Sequence, residues 1–326
     1  MSQSILLPLL SDGEFRSGQD LADALGVSRT AVWKQVNKLG RDTGLEIESV
    51  KGRGYRICGG VDLLEEAEIR KTLSDRTISL LGKLMVLESI DSTNAELMRQ
   101  AQQGRACGIV CTAEQQSAGR GRRGRQWVSP YASNLYVSLI WEFSQGAAAL
   151  EGMSLAVGVA VARALEKCGL PKVQLKWPND VLFDGAKLGG ILLEMTGDAS
   201  GTCQVVVGVG LNVVMPETAA QEIDQAWTDV KTIAGASAPG RNPLLAALLN
   251  ELLPLVADYE TDGFAAWQKQ WLALDAFADA AVVLDTGTSQ MGGTARGVDQ
   301  RGALQLETAT GVQSVYGGEI SLRRAS

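Results

Sequence analysis

The chain lacks histidine altogether: none occurs among its 326 residues. Histidine titrates near neutral pH and is a frequent metal ligand, so its absence excludes Ser-His-Asp, Cys-His and histidine–metal mechanisms. The five cysteines are odd in number and form no CxxC pair. This pattern argues against a disulfide framework or a zinc site and favours buried free thiols. Any catalysis must use lysine, arginine, carboxylates, backbone dipoles or the positioning of substrates.

Long apolar runs are also missing. The longest, such as residues 135–141 and 153–165, are too short to span a membrane. The N-terminus lacks the basic flank and cleavage site of a signal peptide, because Asp12 and Glu14 follow at once. Apolar residues make up 45% of the chain and charged residues 21%, as in ordinary globular proteins. We therefore expect a cytoplasmic protein of two or three domains with no membrane contact.

Positive charge is concentrated in one segment of an otherwise acidic chain. The net charge of -7 argues against a surface that coats nucleic acid. Residues 28–56, however, carry seven basic and three acidic side chains, a local charge of +4. A helix predicted over residues 29–39 begins after the capping residue Ser28 and places Val32 and Val36 on its core face. The opposite face of this helix is polar and basic.

A winged helix-turn-helix is predicted for residues 1–60. An earlier helix starts after Ser17, and a short glycine-bearing turn connects it to the second helix. Two β-like runs follow at residues 46–50 and 55–58, and the turn between them (KGRG) carries a lysine and an arginine at its tip. A basic hairpin after a helix-turn-helix is typical of a DNA-binding winged helix.

The rest of the sequence predicts an α+β protein with two further domains. Residues 66–274 alternate strands with helices, which is typical of a mixed α/β domain. Residues 275–326 contain short β-like segments broken by Gly, Asp and Thr turns, which predict a small antiparallel barrel.

The strongest candidate for a ligand site is the segment at residues 119–125 (GRGRRGR). Four arginines and three glycines are too polar for a core. Glycine lets the backbone approach a ligand, and arginine offers paired donors to phosphate or carboxylate. A disordered basic loop or an RGG-like RNA-binding tract is the alternative. Because the segment lies between predicted strands and leads into Trp127, we favour an ordered loop that wraps a nucleotide phosphate.

Further motifs lie at the ends of predicted strands. Residues 176–180 (KWPND) offer acceptors at a strand end, or form a structural turn. In residues 187–190 (KLGG), Lys187 can reach a carboxylate and an α-phosphate, or is a solvated hairpin lysine. Small residues in 208–212 (GVGLN) suggest close approach of a ligand or another strand. Residues 92–94 (STN) are nearly explained by helix capping.

In this order the motifs resemble those of biotin–protein ligases. With residues 17–56 and the closing GGEISL at 317–322, they resemble the bifunctional form that is also the biotin operon repressor, over nearly the whole chain. The combination is specific, whereas each motif alone is not. The resemblance implies a catalytic domain of the biotin/lipoate ligase type and an SH3-like C-terminal barrel.

The resemblance also implies which residues form each site. The implied biotin contacts are Ser92, Thr93, Asn94, Gln116, Arg120, Gly121, Arg122 and Lys187. The implied ATP or adenylate contacts are Arg122, Arg125, Trp127, Lys176, Asn179 and Asn212. Lys187, Arg122 and Asp180 are the candidate catalytic residues, with Asp180 near the phosphates and Mg²⁺. The implied DNA-binding residues are Ser28, Arg29, Thr30, Trp33, Lys34, Asn37, Lys51 and Arg53.

The implied reaction uses biotin and ATP, with Mg²⁺, to form biotinoyl-5'-AMP. The biotinoyl group then passes to a lysine of the biotin carboxyl carrier protein of acetyl-CoA carboxylase. The winged helix implies operator DNA of biotin-synthesis genes, bound by a homodimer that biotinoyl-AMP promotes.

Three alternatives stay open at this point. One is a lipoate–protein ligase, against which the arginine segment and KWPND speak. Another is a ligand-sensing repressor without transferase activity, against which Arg122 and Lys187 speak. The third is a ligase whose N-terminal domain no longer regulates transcription.

Overall fold

The computed structural model describes residues 3–104, 107–146, 150–198, 201–287, 289–317 and 320–325. The helices are α1 Gln3–Leu10, α2 Gly18–Leu25, α3 Arg29–Thr43, α4 Glu66–Lys71, α5 Asp75–Leu80, α6 Thr93–Gln102, α7 Met153–Lys167, α8 Glu217–Ala220, α9 Val230–Ala234, α10 Arg241–Asp262 and α11 Ala265–Leu272. The strands are β1 Ile47–Val50, β2 Gly54–Ile57, β3 Lys83–Leu87, β4 Ile109–Ala113, β5 Leu135–Phe143, β6 Gln174–Lys176, β7 Asp180–Phe183, β8 Ala186–Gly197, β9 Cys203–Leu211, β10 Ala281–Asp285, β11 Gln290–Val298, β12 Leu304–Thr308, β13 Gly311–Val315 and β14 Ser321–Arg324.

The N-terminal helices begin where the sequence predicts, but α3 continues to Thr43, four residues beyond the predicted end at residue 39. Ser17 and Ser28 cap α2 and α3 by accepting hydrogen bonds from backbone amides three residues on. Gly26 and Gly44 end these helices in the left-handed region, with φ of 64° and 71°. The antiparallel β1–β2 hairpin follows, so the predicted helix-turn-helix and its wing are confirmed.

The core of this N-terminal region is closed by residues from far along the chain. Tyr131 and Ala132 are buried in the same cluster as Leu6, Val32 and Leu39. Burial raises the pKa of Tyr131 well above the usual range of a tyrosine. The winged helix therefore packs directly on the segment that leads into β5.

The central sheet has seven strands in the order β3-β4-β5-β9-β8-β7-β6. The β3–β4 pair is parallel, and the other neighbours are antiparallel. Successive side chains of a strand point to opposite faces of the sheet. Cys111, Ile140 and Val206 lie on the face that α6 covers. Intervening residues such as Leu139 and Val207 join the larger core beneath α7 and α10. The two faces are thus buried by different helices.

The C-terminal strands form an antiparallel sheet in the order β13-β12-β11-β10-β14. Its inward residues, including Val282, Leu284 and Leu306, belong to the same core as the central domain. Among the described strands, β13 and β14 are the two edges and do not pair with each other, so the sheet is open.

Several elements escaped prediction. The short helix α5, which follows α4 as a separate element, was not predicted. The short helices α8 and α9 and the edge strand β14 were not predicted. These elements are brief, and their ends depend on distant partners, such as Asn250 Oδ1, which accepts a hydrogen bond from the Ser74 amide. Within the described residues, no helix combines the length and apolar character needed to cross a membrane.

Candidate active site

The candidate site is a pocket on the face of the central sheet that α6 covers. Gly208 and Gly210 on β9, Gly190 on β8 and Ser138 on β5 form much of its floor, because residues two apart on a strand share a face. Small side chains at these positions leave the space that the pocket occupies.

Two of these glycines admit side chains from other parts of the chain. A Cβ atom on Gly208 would lie 2.2 Å from Asn94 Oδ1, and one on Gly210 would lie 2.5 Å from the Trp127 ring. The close approach that the sequence suggested is therefore made by an amide and an indole. The Trp127 ring lies 5.6 Å from Lys187 Nζ, within range of a cation–π contact, and its own Nε1 is buried without a protein partner.

A chain of polar side chains crosses the pocket floor. Asn94 Oδ1 accepts a hydrogen bond from Ser138 Oγ at 2.5 Å, and Ser138 Oγ lies 2.7 Å from Thr93 Oγ1. Gln116 Oε1 accepts from the Thr93 amide at 2.9 Å, and Gln116 Nε2 donates to Ser129 Oγ at 3.1 Å. These groups are buried or nearly so, and they fix one another's orientation.

The start of α6 is held in place by charge. Ser92 caps the helix through a hydrogen bond from the Ala95 amide. The preceding Asp91 accepts two hydrogen bonds of 2.9 Å from Arg99, which lower the pKa of that carboxyl to about 2. The STN motif is thus a helix cap, as predicted, and also lines the pocket.

A cluster of charges stands at the other end of the pocket. Lys187 Nζ lies 2.7 Å from one oxygen of Asp180, and Lys176 Nζ lies 3.5 Å from the other. All three side chains are mostly buried. A β-bulge between β7 and β8 pairs Lys187 with Leu182 and lets the lysine reach the carboxylate. The alternative of a solvated hairpin lysine is therefore wrong for this conformation.

The arginine-rich segment is ordered against the sheet and the C-terminal strands. Arg122 Nη1 donates to Asn179 Oδ1 at 2.8 Å, and Arg122 Nη2 donates to the Ile320 carbonyl. Arg120 forms an ion pair with Glu194 at 3.2 Å. Arg123 has a φ of 60°, so the backbone turns sharply at that residue. Arg122 is partly buried, whereas Arg120, Arg123 and Arg125 are exposed, so the segment is a largely exposed loop at the pocket.

Asn212 lies in a second cavity that adjoins the first. Its Nδ2 donates to the Thr228 carbonyl at 3.0 Å and to the Lys187 carbonyl at 3.4 Å. The cavity is also lined by Arg125, Trp127 and residues 222–227. In this conformation Asn212 links Lys187 to Thr228, the residue that directly follows the 222–227 segment.

The predicted site residues therefore converge. The first pocket is lined by Ser92, Thr93, Asn94, Gln116, Arg120, Gly121, Arg122, Arg125, Trp127, Lys176, Asn179, Asp180 and Lys187, and the second contains Asn212. Sequence reasoning missed Ser138, Glu194 and the 222–227 segment, which no local motif marks, because tertiary folding brings them to the pocket. Residues 320–322 also line the pocket and belong to the closing GGEISL segment. Gly318 and Glu319 of the closing GGEISL lie outside the described residues.

The N-terminal candidates lie on a surface of their own. Arg29, Thr30, Trp33, Lys34 and Asn37 are exposed on α3, as are Lys51 and Arg53 in the wing turn. Trp33 is 55% exposed, which is unusual for so large an apolar side chain. An exposed tryptophan of this kind often marks a surface that contacts a partner. Arg53 stacks on the Phe15 ring at 4.0 Å, so part of the wing is held by a cation–π contact.

Comparison with known proteins finds a matching family for each of three regions of the chain. The family described as "Biotin/lipoate A/B protein ligase family" matches residues 86–212. An HTH domain matches residues 2–56, and "Biotin protein ligase C terminal domain" matches residues 281–323. The bifunctional ligase/repressor BirA of Salmonella typhimurium is 41% identical over 98% of this chain and 97% of its own length. The Escherichia coli protein of the same name is 40% identical over the same shares.

A solved structure agrees with these matches. The biotin protein ligase from Aquifex aeolicus in complex with biotin and ATP is 28% identical, with a TM-score of 0.64. The alignment covers 75% of this chain and all of that one. The fold and the matches define a ligase of the biotin type joined to a helix-turn-helix domain. The chain belongs to the family of bifunctional biotin ligase/repressors.

Proposed function

We propose that this chain joins biotin to ATP, giving biotinoyl-5'-AMP and pyrophosphate, and transfers biotin to a lysine of the biotin carboxyl carrier protein of acetyl-CoA carboxylase. The observation that carries the proposal is the meeting of Lys187, Lys176 and Arg122 beside a pocket floored by glycines. Such a pocket admits a flat ring, and the cations face the end where a carboxylate and a phosphate would react.

The residues divide between the two substrates. Biotin occupies the first pocket, against Ser92, Thr93, Asn94, Gln116, Arg120, Gly121 and Arg122. The adenylate extends towards Arg125, Trp127, Lys176, Asn179 and Asn212. Lys187 stands between the two and contacts both. The cavity around Asn212 and residues 222–227 supports this division, because it is continuous with the first at Trp127 and Lys187.

The adenylation step needs no general base. The biotin carboxylate attacks the α-phosphorus of ATP, and the bond to the pyrophosphate oxygen breaks. Lys187 and Arg122 stabilise the negative charge that develops at the phosphorus, in a site already ordered by Asp180 and Asn179. The amine of the acceptor lysine, in its neutral form, then attacks the acyl carbon, the bond to the phosphate oxygen breaks and AMP leaves. The proton that the nitrogen gives up passes to the departing phosphate or to solvent. The arginine loop, which lines the pocket, helps to exclude water from the mixed anhydride.

The side chains do not fit a magnesium ion held by the protein itself. The described residues contain no group of three or more potential metal ligands, and both oxygens of Asp180 face lysines. Mg²⁺ would instead enter on the phosphates of ATP, near Asp180. No step above is assigned to it.

The N-terminal domain supports a second activity. We propose that residues 1–60 bind operator DNA of biotin-synthesis genes through Ser28, Arg29, Thr30, Trp33, Lys34, Asn37, Lys51 and Arg53. A homodimer promoted by biotinoyl-AMP would present two such domains to two half-sites. The protein would act in the cytoplasm without membrane contact. Residues 66–274 would form the catalytic domain and residues 275–326 the SH3-like barrel.

The ligase assignment is tested by transfer of labelled biotin to a purified carrier domain. We expect ATP-dependent labelling, and a fall of about 10²–10³-fold in the rate of adenylation for Lys187→Ala. Lys269→Ala, which removes an exposed lysine on α11, should leave the rate unchanged. Lipoylation without biotinylation would replace this assignment by the lipoate alternative.

The repressor assignment is tested by gel shift with the promoter of the organism's own biotin-synthesis genes. We expect a shift that strengthens when biotin and ATP are both present. Binding that ignores both substrates would refute corepression by biotinoyl-AMP. Absence of binding would leave a ligase without a regulatory role.

A further inference from the structure

Glu194 is a charged residue of the pocket to which the mechanism gives no role. It lies on β8, on the same face of the sheet as the glycines of the floor, and its side chain is 26% exposed. One of its oxygens, Oε2, accepts a hydrogen bond of 2.8 Å from Asn94 Nδ2. The other, Oε1, accepts one of 3.2 Å from Arg120 Nη1. The residue thus connects the floor of the pocket to the arginine loop.

This carboxylate fixes the direction of the polar chain on the floor. A carboxylate only accepts hydrogen bonds, so Asn94 must turn its NH₂ group towards Glu194. Asn94 Oδ1 then faces Ser138 and takes the single hydroxyl hydrogen of that serine at 2.5 Å. The Leu192 carbonyl also accepts from Asn94 Nδ2, at 3.4 Å, so Glu194 is the closer of two acceptors that favour this orientation.

At the other end of this row of polar side chains, Ser129 fixes the orientation of the Gln116 amide. Ser129 Oγ donates to the Trp127 carbonyl and therefore accepts from Gln116 Nε2. Gln116 Oε1 consequently faces Thr93, whose hydroxyl lies 3.1 Å away. Carbonyl oxygens thus stand at both ends of the floor.

Between those ends there are fewer hydrogens than contacts. Three oxygen–oxygen contacts link Asn94, Ser138, Thr93 and Gln116, but the two hydroxyl groups supply only two hydrogens. The floor therefore has acceptor capacity to spare and favours a ligand that presents N–H groups. The cyclic urea of biotin carries two N–H groups.

We propose that Glu194 is a positioning residue that sets the donor and acceptor order of the pocket and thereby favours an N–H-bearing ring. The proposal rests on the biotin pocket proposed above. Glutamine at this position has nearly the same shape but can donate. The charged Arg120 would hold its Oε1, so its Nε2 would face Asn94 and drive that amide to flip. Asn94 would then donate towards Ser138, and the floor would gain a donor where biotin needs an acceptor.

Calorimetric titration with biotin alone tests this order. We expect Glu194→Gln to weaken biotin binding about tenfold in this titration, which is the effect of one mismatched hydrogen bond. In a separate adenylation assay, the KM for ATP should not change. The double variant Glu194→Gln with Asn94→Asp exchanges amide and carboxylate, so position 94 again presents only acceptors to Ser138. It should recover biotin affinity to within about threefold of the native value.

Control variants distinguish a failure of the Glu194 proposal from a failure of the biotin-pocket assignment. Glu142→Gln makes the same change on β5, where Glu142 accepts from the amide of Gln204 away from the pocket, and should bind biotin normally. The proposal is overturned if Glu194→Gln binds biotin as the native protein does, or if the double variant is no better than the single. If the native protein binds no biotin, or Thr93→Ala binds it normally, the pocket assignment itself fails.

Discussion

Replacing Arg241 by alanine removes one half of a buried ion pair that connects two parts of the chain. Arg241 is 2% exposed, and its Nη1 lies 2.7 Å from Glu114 Oε2, with Glu114 5% exposed. The same guanidinium donates to the carbonyls of Asp62 and Asn134. Glu114 Oε1 accepts from the Leu64 amide. The pair therefore holds the segment after the winged helix against β4 and the start of α10.

The expected loss follows from the burial of both charges. Removing one partner leaves the Glu114 carboxylate without its cation in a dry site, which typically costs about 3–5 kcal/mol. At roughly 2.1 cal/mol/K of unfolding entropy per residue, a chain of this length would lose about 4–7 °C in Tm if it unfolds in one transition. Scanning calorimetry of the full chain measures this shift, and the shape of the peak shows whether one transition applies.

A surface arginine provides the matched control. Arg296 forms ion pairs with Asp279 and Glu307, but its side chain is 45% exposed. Screening by water limits such pairs to less than about 1 kcal/mol, so Arg296→Ala should lower Tm by no more than about 1–2 °C. If both variants lose the same small amount, the reasoning from burial is wrong.

Three further predictions concern other parts of the molecule. Gly208→Ala places a methyl group where the Asn94 amide lies and should abolish biotin binding in a calorimetric titration, whereas Gly292→Ala, which meets open space, should not affect it. Burial raises the pKa of Cys111 to about 12, so mass spectrometry after iodoacetamide treatment at pH 8 should show the exposed Cys107 alkylated and Cys111 intact until the protein unfolds. If Lys51 contacts a DNA phosphate, Lys51→Ala should weaken binding to all sequences and reduce the salt-dependence slope by about 0.9, as read from gel shifts at several salt concentrations.

The sequence alone was sufficient for most local structure. Ser28 predicted where α3 begins, because capping is a local requirement, whereas the end of α3 at Thr43, before the left-handed Gly44, was not predicted. Asp184 and Gly185 form the β7–β8 turn, for which Asp-Gly is a strong local signal, and both residues have positive φ there, of 47° and 77°. The order of the motifs also predicted the family, which the full-length relatives confirm.

The pocket itself needed the tertiary structure. Asn94 and Glu194 are 100 residues apart, and Arg122 and Ile320 are 198 apart. Such pairs meet only after strand order and register are set. A one-residue shift of β8 would turn Glu194 to the opposite face.

The absence of histidine, visible in the sequence, excluded catalysis by histidine and left the proposed mechanism to cations and positioning. It could not say which cations meet. The bulge that brings Lys187 to Asp180 and the burial that joins Arg241 to Glu114 arise from packing between distant segments. Motifs and helix caps depend on a few residues that are neighbours in the sequence, so the sequence predicts them. The face of a sheet to which a side chain points depends on the register of the strands beside it, which only the tertiary structure sets.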